Sequence, residues 1–146
     1  MTGTEQILLV EDNEDDVFLM KRALKGAGIS NPLSVAEDGQ SAIDYLEGKG
    51  NYSDRTLYPL PSLIFLDLKL PYVRGLDVLA WIKKDPRFVS IVVVILTSSE
   101  EPSDLKEAYL LGVNSYLVKP PSSAQLLDLA VAFKAYWVDK NEFGSW

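Results

Sequence analysis

The sequence predicts an α/β domain: an open, doubly wound parallel sheet with helices on both faces. Short runs rich in Val, Ile and Leu recur five times, and they are continuous rather than alternating, as in strands covered on both sides. Stretches of helical period separate them, and glycine or proline follows the helical stretches. Strand and helix therefore alternate, which calls for crossover connections and a parallel sheet.

Taken in order, the first strand is Ile7 to Val10, and Val17, Met20, Leu24 and Ala27 share one face of the helix after it, with Gly28 beyond. The second strand is Leu33 to Ala36, and its helix is closed by Gly48 and Gly50. Leu63 to Leu66 form the third, followed by a helix that must stop before Pro86. The fourth is Ile91 to Leu96, and its helix presents Leu105, Ala108, Tyr109 and Gly112 on one face. Ser115 to Val118 form the fifth, ahead of a last helix carrying apolar residues from Leu126 to Val138. Periodicity leaves the strand order open. Residues 48–61 fit this plan poorly: they form a polar and aromatic loop with two prolines, longer than usual between a helix and a strand. A surface insertion and a recognition element are equally compatible with them.

A length of 146 residues suits one domain, taken as 1–146 with a tail over 139–146, and 47% hydrophobic with 24% charged residues is an ordinary globular mixture. The net charge of -7 argues against direct contact with nucleic acid. Absence of cysteine excludes disulfides and thiol chemistry. Absence of histidine excludes histidine triads and any internal phosphohistidine, so a histidine donor would lie on a partner. Met1 to Gln6 are polar and lack the basic start and apolar stretch of a signal peptide, and no apolar run reaches membrane-span length. The expectation is a cytoplasmic protein without membrane contact.

In open parallel sheets, ligands sit beyond the carboxyl ends of the strands. Here those ends carry Glu11 and Asp12, Asp67, Thr97 and Ser98, and Lys119 with Pro120. Crowded carboxylates repel unless a cation neutralises them. Magnesium fits, because it takes one or two carboxylates, waters and phosphate oxygens, whereas no spaced acidic loop of the calcium-binding kind is present. Asp67 is the natural nucleophile, since a carboxylate accepts a phosphoryl group as an acyl phosphate. Lys119 can add positive charge, and Thr97 a hydrogen bond. Taken singly, each acid is an ordinary turn residue or cap, Thr97 a cap for the helix near Glu101, Lys119 a surface charge and Tyr116 a half-buried strand residue. Their joint occurrence at successive strand ends favours the chemistry.

Leu8-Leu9-Val10-Glu11-Asp12-Asn13, Leu66-Asp67 with Leu70-Pro71 and Gly75-Leu76, Ile95-Leu96-Thr97-Ser98, and Tyr116-Leu117-Val118-Lys119-Pro120 stand in this order along the chain. Over nearly its whole length the chain thus resembles the receiver domain of two-component response regulators. The resemblance implies a flavodoxin-like sheet in the order 2-1-3-4-5. It implies phosphorylation of Asp67 by a sensor histidine kinase, with magnesium held by Glu11, Asp12, Asp67 and the backbone carbonyl of Lys69. It also implies Thr97 and Tyr116 as a switch pair, Lys119 on the phosphoryl oxygen, and a cis bond between Lys119 and Pro120. Glu11 stands where aspartate is commoner in the family. Lys69 and Ser99 occupy positions that tune phosphoryl lifetime, and Pro121 adds a second proline before the last helix. The long loop and aromatic tail look like the small stand-alone regulators that partner phytochrome kinases.

The same residues leave other outputs open. The chain can serve as an intermediate passing its phosphoryl group to a histidine phosphotransfer protein. An aspartate-based phosphatase wants a second aspartate two residues after the nucleophile, where Lys69 stands, and the acidic stretch from Glu11 to Asp16 would repel a flavin phosphate. A receiver acting only as a docking module is disfavoured by the full set of site residues. Leu126, Leu127, Leu129, Ala130, Val131, Phe133, Tyr136, Trp137 and Val138 surround much of the last helix, and Phe143 and Trp146 follow. This predicts a homodimer through the C-terminal helix and tail, ahead of a tail folded back on its own domain.

Overall fold

A computed structural model of the chain describes residues 3–144. Five parallel strands, β1 (Ile7–Val10), β2 (Leu33–Ala36), β3 (Leu63–Leu66), β4 (Val92–Thr97) and β5 (Ser115–Val118), form one sheet in the order β2-β1-β3-β4-β5. The helices are α1 (Glu14–Gly26), α2 (Gly39–Glu47), α3 (Gly75–Lys84), α4 (Pro102–Leu110) and α5 (Ser123–Phe133). The runs of the inner strands β1, β3 and β4 are continuous because both of their faces are buried, while the edge strands β2 and β5 are half-buried. Leu8, Val10, Ile64, Leu66, Val93 and Ile95 point into one core with the residues of α2 and α3, while Ile7, Leu9, Leu63, Phe65, Val94 and Leu96 point into the other, with α1 and α5.

Register sets the function of this sheet. Val10 lies beside Ala36 and Leu66, Leu66 beside Ile95, and Thr97 beside Val118. The residues that follow the central strands therefore emerge along one edge. Helix starts near this edge are fixed by side chains that take up orphan amides: Asn13 accepts from Asp16 N at 3.0 Å and Ser122 from Gln125 N at 3.2 Å. Because Ser122 is the cap, Pro120 and Pro121 both lie outside α5 and leave it intact.

Three details differ from the sequence expectation. β4 begins one residue later than Ile91 and ends on Thr97, because Ile91 N is used in a turn, donating to Phe88 O at 3.0 Å. On α4 only Ala108 is buried, while Leu105 and Tyr109 are 42% and 54% exposed. This short helix meets the sheet through one small side chain, so its apolar period overstates its burial. The C-terminal helix continues as a wider π turn over Lys134–Val138, and Phe143 folds back on it, its ring 6.5 Å from that of Trp137. That is the less favoured of the two fates predicted for the tail, although Trp146 lies outside the described residues.

The 48–61 segment is a built structure. A 3₁₀ turn (Gly50–Tyr52) brings the Tyr52 ring to 5.1 Å from that of Tyr45 and 5.2 Å from that of Tyr58, and these two are 5.9 Å apart. Arg55 donates to Tyr45 O at 2.8 Å, Leu46 O at 2.6 Å and Tyr58 O at 3.1 Å. Leu46 O is left orphan by the end of α2 and Tyr45 O already accepts from Gly48 N at 3.1 Å, so the guanidinium completes the C-terminal cap. Its neighbour Gly48, at φ 70°, leaves room: a Cβ there would come within 2.9 Å of Arg55 Nη2. Loss of charged hydrogen bonds to half-buried carbonyls costs roughly 2 kcal/mol. Arg55→Ala should therefore lower the urea midpoint by that equivalent without changing the slope, and an unchanged midpoint would show the loop to be dispensable to the fold.

Candidate functional site

The acids expected at the strand ends meet there. One carboxylate oxygen from each of Glu11, Asp12 and Asp67 lies within 4.8 Å of the others. Glu11 and Asp67 are buried and Asp12 is exposed, so the cluster has a closed floor and an open side. Glu11 is fixed from below by two amides: Asp12 N and Asn13 N donate to its Oε2 at 3.0 and 3.4 Å. Asp67 Oδ1 accepts from Lys69 N at 3.2 Å. Asp67 also depends on Gly75 at the start of α3. A Cβ at that position would lie 2.3 Å from Asp67 O and 2.5 Å from Leu68 Cα, so only glycine lets α3 begin directly against the acid.

Lys119 supplies the internal cation. Its ammonium donates to Glu11 Oε1, to Asp16 Oδ2 at 3.0 Å and to Asp67 Oδ2 at 3.1 Å. Burial alone would lower the proton affinity of this amine. Hydrogen bonds to Glu11 and Asp16, with the charge of Asp67, outweigh that and raise it above the ordinary lysine value. Glu11 is pushed up to about 7, chiefly by burial, with Asp67 adding to the shift and Lys119 opposing it. Three carboxylates against one ammonium leave uncompensated negative charge. Clustered hard oxygen donors of this kind suit a divalent cation.

Sequence reasoning missed Asp16 as a partner of Lys119. Its signal was its place in the first turn of α1, whose start abuts the site, but an acid there ordinarily serves the helix dipole. Ser99 was noted, through the resemblance, as a position that tunes phosphoryl lifetime, and in the fold it is also a junction. Its amide donates to Thr97 Oγ1 at 3.3 Å, its hydroxyl donates to Asp104 at 2.6 Å, and its carbonyl accepts from Tyr116 OH at 3.0 Å. Thr97 is fully buried and Tyr116 half-buried, so the two are joined through Ser99 rather than directly. The Lys69 side chain is exposed and points no charge into the cluster.

One expectation fails. Among the described residues there is no cis peptide bond, so the bond between Lys119 and Pro120 is trans. In this arrangement Lys119 N extends the ladder to Thr97 O at 2.7 Å and the ammonium still reaches all three acids, so the less favourable isomer is not needed to form the contacts.

A family model described as the response regulator receiver domain matches residues 7–131. The chain belongs to that family. It is similar to the probable methanogenesis regulatory protein FilR2 of Methanothrix harundinacea, at 41% identity over 92% of this chain and 84% of the relative. It is likewise similar to response regulator Rcp1 of Synechocystis, at 38% identity over 91% and 88%. A Mn(2+)-bound crystal structure of Rcp1 superimposes with a TM-score of 0.88 at 35% identity, covering 97% of this chain and 99% of that one. The phosphorylated cyanobacterial phytochrome response regulator RcpA does so with a TM-score of 0.90 at 34% identity and the same coverage. This receiver is thus a phosphoacceptor response regulator with the flavodoxin-like order read above. Its family acts in signalling rather than in turnover of outside substrates.

Proposed function

We propose that Asp67 is the phosphoacceptor of this receiver, taking a phosphoryl group from the phosphohistidine of a sensor kinase. The observation that carries the reading is the meeting of Asp67 with Glu11, Asp12 and the Lys119 ammonium at one sheet edge. An oxygen of Asp67 attacks phosphorus, the phosphorus–nitrogen bond breaks, and the imidazole leaves on the kinase. Glu11, Asp12, Asp67 and the Lys69 carbonyl are the residues that would hold magnesium, which when bound supplies positive charge to the transferring oxygens. Lys119 is in place to donate to a phosphoryl oxygen once that oxygen replaces one of its carboxylate partners. Thr97 then turns its hydroxyl from Ser99 N toward the phosphoryl group, and release of Ser99 frees Tyr116 to move inward.

The kinase reading places the protein in the cytoplasm; among the described residues no helix is long and apolar enough to cross a membrane. Similarity to RcpA, a phytochrome response regulator, supports a kinase of the phytochrome class as the donor. Incubation with acetyl phosphate and magnesium, followed by intact mass, should show addition of one phosphoryl group. A chain that stays unmodified while its magnesium binding is intact would refute the acceptor role.

The output surface includes the outer side of the C-terminal helix. Leu127 and Val131, one helical turn apart, are 38% and 53% exposed, and Tyr136, on the side near β5, is 59% exposed; this apolar surface supports self-association as a homodimer. Since Phe143 is already packed on Trp137, the helix carries the contact and the tail buttresses it. Light scattering should give a dimer at micromolar concentration, and Val131→Glu a monomer. A monomeric wild type would refute this interface.

A further inference from the structure

A cavity runs from the acid cluster in between α1 and α5, sharing Glu11, Asp67 and Lys119 with that cluster. It measures about 190 Å³ and is floored by Leu9, Phe65 and Leu96 and walled by Met20 and Leu126. The segment that covers it, Pro120-Pro121-Ser122-Ser123, has no side chain long enough to fill the space. An apolar cavity of about 150 Å³ accepts a benzene ring. This one therefore has room for a single six-membered ring and a short arm. Among the described residues no buried polar side-chain atom lacks a partner, so the interior offers nothing to a polar guest.

Polarity is gathered at the end where Glu11, Asp16 and Asp67 face Lys119, with Ser122 and Ser123 on the cover. Three acids share one ammonium, so the mouth attracts cations and repels anions. Asp16 is the most accessible acid of the three, its side chain 40% exposed against 4% for Glu11 and 7% for Asp67. It stands outside the Glu11, Asp12 and Asp67 group, and Lys119 takes its Oδ2 at 3.0 Å, which leaves Oδ1 to receive a guest. Asp16, Leu19 and Met20 lie at helical neighbour spacing on α1, and all three line the cavity.

We propose that this cavity binds a small monocation built on one ring, with the ring among Leu9, Phe65 and Leu126 and its ammonium on Asp16.

The test is an amide chemical-shift titration of the full chain in magnesium with three probes of equal size: benzylammonium, benzyl alcohol and benzoate. Benzylammonium should saturate, with shifts centred on α1, on α5 and on the ends of β1 and β3. Benzyl alcohol should bind about fivefold more weakly, the factor expected of one partly exposed ion pair, and benzoate not at all. Asp16→Asn should bring benzylammonium down to the level of the alcohol, and Ser123→Phe, at an exposed position on the cover, should block both. Failure of benzylammonium to saturate, equal binding of all three probes, or a charge preference that survives Asp16→Asn would each overturn the proposal.

Discussion

Replacing Asp67 by asparagine should abolish phosphoryl uptake from acetyl phosphate and magnesium, with no loss of stability. An amide of nearly the same shape keeps the packing of the β3 end, and Gly75 still clears the backbone at that point. What disappears is the oxygen nucleophile, since only a carboxylate gives the acyl phosphate. Stability should hold or rise, because Asp67 is 6% exposed and sits with Glu11 and Asp12 in a group whose negative charge exceeds what Lys119 neutralises. Lys119 keeps Glu11 and Asp16 as partners in the variant. Intact mass reads the uptake, and a urea titration reads the fold. Labelling of the variant at the wild-type rate would move the acceptor to another residue. Loss of both uptake and fold would show Asp67 to be structural.

The sheet was legible because its signal is redundant: five apolar runs each show it, in the buried strands β1, β3 and β4 and in the half-buried edge strands β2 and β5, and a one-residue shift of β4 changes nothing. The strand-end residues were legible for a related reason, since in-register parallel strands bring consecutive chain exits to one edge. The illegible parts depend on single contacts across the chain. Asp16 and Lys119 are 103 residues apart, and no period or spacing connects them. Arg55 reads as an ordinary loop cation until the end of α2 supplies its carbonyls. Ser99 joins Thr97, Asp104 and Tyr116 through one backbone amide, one hydroxyl and one carbonyl, two of which belong to the main chain and leave no mark in the sequence. The apolar stripe on α4 misled in the opposite sense. Period reports which residues share a face, and how much of that face is covered depends on what packs against it.

The metal-free protein should lose stability as pH rises from 5 to 8, and magnesium should restore it. Glu11 is raised in the folded state from 4.5 to about 7, first by burial and then by Asp67. A carboxyl raised on folding favours the folded state below its unfolded value, and that contribution is lost as pH climbs through the folded value. Across this window the loss amounts to about 3 kcal/mol. Asp77 and Asp85, held low by hydrogen bonds from Arg74 and Arg87, finish titrating below pH 5. Lys119, raised by its acid partners despite burial, keeps its proton throughout. A divalent cation on the carboxylates competes with the proton and binds only the folded site, so at a hundredfold excess over its Kd it returns about 3 kcal/mol at pH 8. Urea unfolding at pH 5 and pH 8, in chelator and in magnesium, measures all four corners. Glu11→Gln should flatten the chelator series, since the amide has no proton to lose. A wild type equally stable at both pH values in chelator would remove Glu11 as the source of the strain, as would a Gln variant with the same decline.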